Sequence, residues 1–422
     1  MTLKELLQGQ NIEIPSSYLN LDVRGVSCDS RTVEKDHIFV ALPGTHLHGA
    51  DFIDEAVKKG ARVIVTNSKA YPQRDDCLVL HSDNPKDLLL KLCQKIYDLR
   101  GRSVKTIGVT GTNGKTTITY LLEAILQHAG KQTAVIGTVN HRIGRTIIPS
   151  RNTTPGLVDI HRIFSQMARE HIEFCLMEVS SHALDQGRTD GIEFSTSIFT
   201  NLTGDHLDYH GTMEKYFEAK TKLFTRLAKE KFAVINNDDP YAERLKALCS
   251  SRILTYGIEK KSDVTALQIR LSSHGSRFEI HSPAGARAIK TPLIGRHNIY
   301  NILAAAAALL AEGFTLDDIQ AGTESLSSVP GRLERVQAGQ DFSIFVDYAH
   351  TEDALKNVLT NLKIVCPSKI ILVCCEPDSL ASDLAKFLKN GWKIESAAVF
   401  DFFPQTPNVE SAAVLRLDSK MN

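Results

Sequence analysis

The 422-residue chain predicts an α/β protein of three units, the middle one built on a parallel sheet. Three observations carry this. Apolar, β-branched runs alternate with helical stretches along most of the chain, the pattern of parallel strands joined by crossover helices. Two breaks interrupt the alternation: the charged stretch DLRGRSVK near residue 100, and SSVPGRLERV around Pro330 and Gly331. Composition, 42% hydrophobic and 23% charged, is that of a soluble globular chain and excludes a disordered or collagen-like one. The units are expected at 1–100, 104–328 and 329–422, a smaller N-terminal α/β unit and a short, atypical C-terminal one flanking the middle.

In the first unit, HIFVAL, ARVIVT and CLVLH read as strands, and FIDEAVKKG and PKDLLLKLCQKIYDLRG as helices. The second opens with the strand KTIGVT and continues through TAVIGTV, the helix PGLVDIHRIFSQMARE and the strand EFCLMEVSS. TSIFTNL, a helix near EKYFEAKTKLFTRLAK and the strand FAVINND follow, and the alanine-rich helix NIYNILAAAAALLAEG closes on a glycine. In the third unit FSIFVDY, KIILVCC, ESAAVFDF and SAAVLRL read as strands. No internal repeat or low-complexity segment is present.

Lys and Arg total 49, as do Asp and Glu, so the chain lacks the global basic footprint of a nucleic-acid binder. Its longest apolar run, Ile302 to Ala311, is far short of the about 20 residues that cross a bilayer. MTLKELLQGQN contains no apolar signal-peptide core. These features set the expectation of a cytoplasmic protein with no nucleic-acid or membrane partner. Cys28, Cys77, Cys93, Cys175, Cys249, Cys366, Cys374 and Cys375 form no CxxC pair, and reduced, mostly buried thiols are expected.

The strongest local signal is GVTGTNGKTT, Gly108 to Thr117, lying between a strand and a helix. That is the setting of a phosphate-binding loop. Gly111 and Gly114 would let the backbone of Thr112 and Asn113 turn its N–H groups onto phosphate oxygens. The helix start at Lys115, Thr116 and Thr117 adds partial positive charge. Lys115 would reach the β- and γ-phosphates, and the Thr116 hydroxyl would sit on Mg²⁺. The spacing departs from the usual pattern: the leading glycine is Gly108 and position 109 is Val. The plainer alternative is a glycine-rich turn with a surface lysine.

Glu178 closes the apolar strand EFCLMEVSS, where open α/β sheets bind ligands, and could hold Mg²⁺. TNLTGDHLDYHGT packs Asp205, His206, Asp208 and His210 together, as a metal or phosphate site would, or as a solvated loop would. On a helix, Tyr216, Lys220 and Leu223 share a face. An inward Lys220 is costly unless paired or modified, and a surface lysine is the alternative.

Taken together, GTNGKTT, MEVSSHALDQGR, TNLTGDHLDYHGTMEKYFEAKTKLF, GRHNIYN, PGRLERV and VDYAHTEDAL make the chain resemble the Mur ligase family, from its start to about residue 365. NTTPG, MEVSSHALDQGR and DHLDYHG resemble its muramyl-peptide enzymes rather than folylpolyglutamate synthases. The resemblance implies a UDP-binding first domain, a central ATPase of the phosphate-loop type and a C-terminal domain for the incoming amino acid. It implies a monomer using ATP and Mg²⁺ to join a diamino acid, meso-diaminopimelate or L-lysine with the former favoured, to the D-Glu of UDP-MurNAc-L-Ala-D-Glu. The route it implies is an acyl phosphate, with Lys115, Lys220 and His206 in catalytic roles. By motif position Thr116, Glu178, His206 and a carbamylated Lys220 would hold Mg²⁺. Asn298, Arg332 and Asp347 would grip ATP beside the phosphate loop. Thr153, Thr154, Ser180, Gln186 and Arg188 would contact the muramyl peptide, and Ser30 the UDP.

Beyond VDYAHTEDALKNVLTNLKIV the family's Gly- and Asp-rich loop and its Asp-Asn-Pro-Arg-type motif are missing. Residues 367–422 instead resemble the C-terminus of RNA uracil-5-methyltransferases, which implies Cys375 as the counterpart of a nucleophile and Glu410 of a base. Three readings stay open: an active ligase, a paralogue that binds ATP and UDP-muramyl peptide without reading the amine, and a methyltransferase remnant.

Overall fold

The computed structural model describes residues 1–44, 48–68, 71–97, 104–336, 344–349, 369–374, 392–400 and 410–417, with isolated positions between 339 and 388. The first unit is a four-stranded, wholly parallel sheet: β1 (Gly25–Ser27), β2 (His37–Ala41), β3 (Ala61–Thr66) and β4 (Leu78–His81), in that order. Helices α1 (Leu3–Leu7), α2 (Ile53–Lys58) and α3 (Pro85–Ile96) cover it. Asn84 caps α3 by accepting from the Asp87 N–H, and Pro85 fits the first turn, where its missing N–H costs nothing. The core of this unit includes Leu157, on α5 (Leu157–Arg169) of the next unit, so the two units pack together there.

The second unit carries an eleven-stranded sheet in the order β15-β14-β13-β12-β11-β10-β5-β9-β6-β7-β8. Its strands are β5 (Lys105–Thr110), β6 (Thr133–Ile136), β7 (Asn140–Ile143), β8 (Thr146–Pro149), β9 (Phe174–Glu178), β10 (Thr196–Phe199), β11 (Phe232–Asn236), β12 (Arg252–Gly257), β13 (Val264–Ser272), β14 (Gly275–Ser282) and β15 (Gly285–Thr291). Pairing is parallel from β13 through to β6 and antiparallel in β13–β14–β15 and β6–β7–β8 at the two edges. The middle sheet is therefore mixed. The sequence reading supplies β5, β6, β9, β10 and β11 of its parallel run and is silent on β12, β13 and the antiparallel edges.

Helix α4 (Lys115–His128) buries Ile118, Leu121, Leu122, Ile125 and Leu126 on one stripe against this sheet. α10 (Arg296–Ala311) has Ala304 to Ala308 wholly buried, because it lies between α4 and strands β10 to β13 and only small side chains allow that approach. The remaining helices are α6 (Ser181–Asp185), α7 (Leu207–His210), α8 (Met213–Thr225), α9 (Ala242–Leu248) and α11 (Leu316–Ser325).

Beyond Pro330, β16 (Glu334–Val336) pairs with β17 (Ile344–Val346). β18 (Lys369–Cys374), β19 (Trp392–Phe400) and β20 (Glu410–Leu417) form an antiparallel sheet in the order β18-β20-β19. All four strands read from the third unit's sequence are present. Glu410 opens β20, whereas Cys375 lies outside the described residues.

Candidate active site

β5 lies between β9 and β10, so the loops leaving the C-terminal ends of these three strands meet at one place. The loop after β5 turns at Gly111 (φ +144°) and Gly114 (φ +94°). A Cβ at Gly111 would lie 1.8 Å from the Thr200 hydroxyl, and one at Gly114 2.5 Å from Asn301 Oδ1, so both positions exclude a side chain. The loop after β10 braces it. The Thr112 N–H donates to the Asn201 carbonyl and the Asn113 N–H to Asn201 Oδ1, both at 2.9 Å, and the Thr200 hydroxyl donates to the Asn113 carbonyl at 2.7 Å. No side chain caps α4 at Gly114, so the first N–H groups of that helix are available to an anion.

Two lysines converge on this loop. Lys115 Nζ donates to the carbonyls of Gly111 (3.0 Å) and Thr112 (2.9 Å), and Lys220 Nζ donates to the same Gly111 carbonyl at 2.9 Å. Lys220 stands on α8 with Tyr216 and Leu223, all three buried, and its ammonium lies 4.4 Å from the Tyr216 ring centre. The inward reading of Lys220 is the one the fold adopts. Burial pushes both amines below the ordinary lysine range, and for Lys220 the Lys115 charge pushes further the same way.

Glu178, at the end of β9, is 1% exposed. Its Oε2 accepts from the Thr116 and Thr138 hydroxyls, each at 3.0 Å, and its Oε1 from the Thr138 N–H at 2.9 Å. Arg332 Nη2, from beyond the second break, donates to the Thr116 hydroxyl oxygen at 3.2 Å. Asp347 turns instead to its own segment, accepting from the Leu333 (2.7 Å) and Ala349 (2.8 Å) N–H groups, and burial raises its carboxyl above the usual range. Asn298 donates to the Ile294 carbonyl at 2.8 Å and accepts from Asn301 at 3.1 Å. Thr117 is buried in the first turn of α4.

The proposed substrate contacts adjoin this group. The Thr154 hydroxyl donates to the Glu178 carbonyl (2.8 Å) and accepts from the Ser180 N–H (3.0 Å). Arg188 donates to the Thr154 carbonyl at 3.0 Å and to Gln186 Oε1 at 2.6 and 2.8 Å. Thr153 lies 3.0 Å from Thr138, oxygen to oxygen. Ser30 is apart, on the first unit, donating to Glu55 at 2.6 Å.

His206 adopts a left-handed backbone (φ +53°) before α7. Its ring meets His182 edge to face at 4.8 Å, and His182 in turn lies 4.2 Å from Tyr209. Burial lowers the imidazolium pKa of both histidines. Thr116 and Glu178 touch, Lys220 reaches Gly111, and His206 lies against His182. Among the described residues no three His, Cys, Asp or Glu side chains gather into a metal cluster. Two hard oxygens do suit Mg²⁺, which takes one or two protein carboxylates and fills its octahedron with phosphates and water. Sequence reasoning missed Thr138, His182, Thr200, Asn201 and Asn301. The latter four lie in or next to motifs it quotes, while Thr138 carries no local signal.

A mostly parallel sheet with a glycine-rich loop at a helix start, a buried carboxylate at the neighbouring strand's end and two inward lysines define a nucleotide-dependent enzyme of the phosphate-loop class. The comparisons with known proteins agree. The Mur ligase middle domain matches residues 109–309, the Mur ligase family catalytic domain 22–89, and the Mur ligase glutamate ligase domain 331–417. The last match runs past residue 365, where the motif strings stop. The chain is 44% identical over 360 residues to the UDP-N-acetylmuramoyl-L-alanyl-D-glutamate–2,6-diaminopimelate ligase of Geobacillus kaustophilus, covering 84% of this chain and 73% of that one. It is 39% identical over 394 residues to the protein of the same name from Bacillus velezensis, covering 92% and 80%. A solved structure of a ligase of that name superposes with a TM-score of 0.72 at 31% identity, covering 86% and 74%. The chain belongs to the Mur ligase family.

Proposed function

We propose that this chain is the ligase that uses ATP to add meso-diaminopimelate to the D-Glu carboxylate of UDP-MurNAc-L-Ala-D-Glu, a step in peptidoglycan precursor synthesis. The observation that carries it is the line of contacts from phosphate loop to substrate loops: Thr116, Glu178, Thr138, Thr153 and Thr154 form one hydrogen-bonded group. The names of the relatives supply the substrate and the amine.

A carboxylate is a poor acyl donor, and phosphorylation by ATP gives it a leaving group. The amine then attacks the acyl phosphate, forming the amide and releasing phosphate. The N–H groups of Thr112 and Asn113 are taken up by Asn201, so Lys115 and the first N–H groups of α4 would be the groups that neutralise the phosphates. Thr116 and Glu178 would hold Mg²⁺, which supplies charge neutralisation between the phosphate oxygens. Arg332, already on Thr116, would bring the third unit against ATP, with Asp347 behind it and Asn298 on the adenine side. His206 would approach as the site closes. Two ammonium groups on one carbonyl repel, and a neutral Lys220 amine can add CO₂ with loss of a proton. We assign Lys220 as the carbamylated residue, an anion that would relieve that repulsion. Ser180, Gln186 and Arg188 would read the muramyl peptide, and Ser30 the UDP. The reading extends to a cytoplasmic monomer. Among the described residues no helix is long and apolar enough to cross a membrane.

The test is product identification by mass after incubation with UDP-MurNAc-L-Ala-D-Glu, ATP, Mg²⁺ and either diaminopimelate or L-lysine. Tripeptide formed with diaminopimelate supports the proposal. Tripeptide formed only with lysine, or no amide with either, contradicts it.

A further inference from the structure

We infer that Thr138 is a positioning residue that ties the carboxylate on the nucleotide side to the pocket on the muramyl-peptide side; the inference rests on the ligase reading above. Thr138 follows β6 in a short loop and is half-buried. Its N–H holds Glu178 Oε1 and its hydroxyl holds Oε2, at 2.9 and 3.0 Å, while Thr116 donates to Oε2 from α4. Both carboxylate oxygens are thereby fixed before any cation arrives.

Proton accounting extends this to the substrate. A carboxylate only accepts, so the single hydroxyl proton of Thr138 is committed to Glu178. The contact of 3.0 Å between Thr138 Oγ1 and Thr153 Oγ1 then takes its proton from Thr153. The Thr153 hydroxyl is used inward, and what it presents to the pocket is lone pairs. Thr153 therefore accepts from a substrate N–H or O–H and cannot donate to a substrate carbonyl. The amide N–H groups of the muramyl peptide are donors of that kind. The chain Thr153 to Thr138 to Glu178 has one sense, and binding at either end favours the same arrangement of the loop.

Thr138→Val keeps the β-branched shape and the backbone N–H but removes the hydroxyl, and Thr138→Ser restores it. Loss of an outer hydrogen-bond partner of a metal ligand weakens metal affinity by about 10–100-fold. In T138V, binding of Mn²⁺ to the enzyme–ADP complex, followed by electron paramagnetic resonance, is expected to weaken by about tenfold. KM for UDP-MurNAc-L-Ala-D-Glu is expected to rise several-fold, with KM for ATP and the melting temperature close to wild type. T138S is expected to recover both. Wild-type Mn²⁺ and dipeptide binding in T138V would overturn the inference, as would T138S failing as badly as T138V, since the hydroxyl would then not be the acting group. A wild-type enzyme that makes no amide would overturn the ligase reading instead, and the Mn²⁺ measurement would still judge Thr138.

Discussion

Lys115 and Lys220 end within 3.0 Å of the same carbonyl oxygen, that of Gly111, and Lys220 is buried while Lys115 is half-buried. Their roles are separable by experiment. Lys115→Met is expected to lower kcat by at least about 100-fold, the order lost when a preorganised charge is removed from a developing anion. Steady-state kinetics beside an unchanged circular dichroism spectrum would check this. For Lys220 the folded pKa lies below the ordinary lysine value of about 10.4. Between those two values the unfolded chain holds a proton that the folded chain does not, so stability rises with pH across that window and levels above it. In CO₂-free buffer, denaturant unfolding of the wild type should show this rise, and Lys220→Met should show a smaller one, the part due to Lys115 remaining. Equal slopes for both would contradict the placement of Lys220. The phosphate loop was legible because its residues are contiguous in sequence. Thr138 was not, because the residues it serves, Thr153 and Glu178, lie far along the chain and nothing near it hints at them.

At the scale of elements, α10 sets how closely the sheet and α4 approach. Ala304 to Ala308 are all fully buried, leaving no room for extension. Ala306→Leu is expected to cost about 1–3 kcal/mol by overpacking. Calorimetry should show a melting temperature lower by several degrees, with activity per folded molecule retained because Asn298 and Asn301 lie a turn or more away. The sequence disclosed α10 by its unbroken apolar run and the parallel strands by their alternation with helices. It did not disclose β13 to β15, whose exposed Leu267 and polar Gln268 and Arg270 disturb the period of two.

For the whole molecule, the loops of the eleven-stranded sheet hold most of the site, and Arg332, beyond Pro330, reaches Thr116. The glutamate ligase domain match continues to residue 417, past the point near residue 365 where the motif strings stop. In the proposed ligase, ATP turnover is coupled to the amine. Phosphate release from ATP with UDP-MurNAc-L-Ala-D-Glu, with and without diaminopimelate, tests it most directly. Release is expected to rise with diaminopimelate in proportion to the tripeptide formed. ATP binding with no amine-dependent release would contradict it, and would mark a nucleotide and muramyl-peptide module without an acceptor pocket.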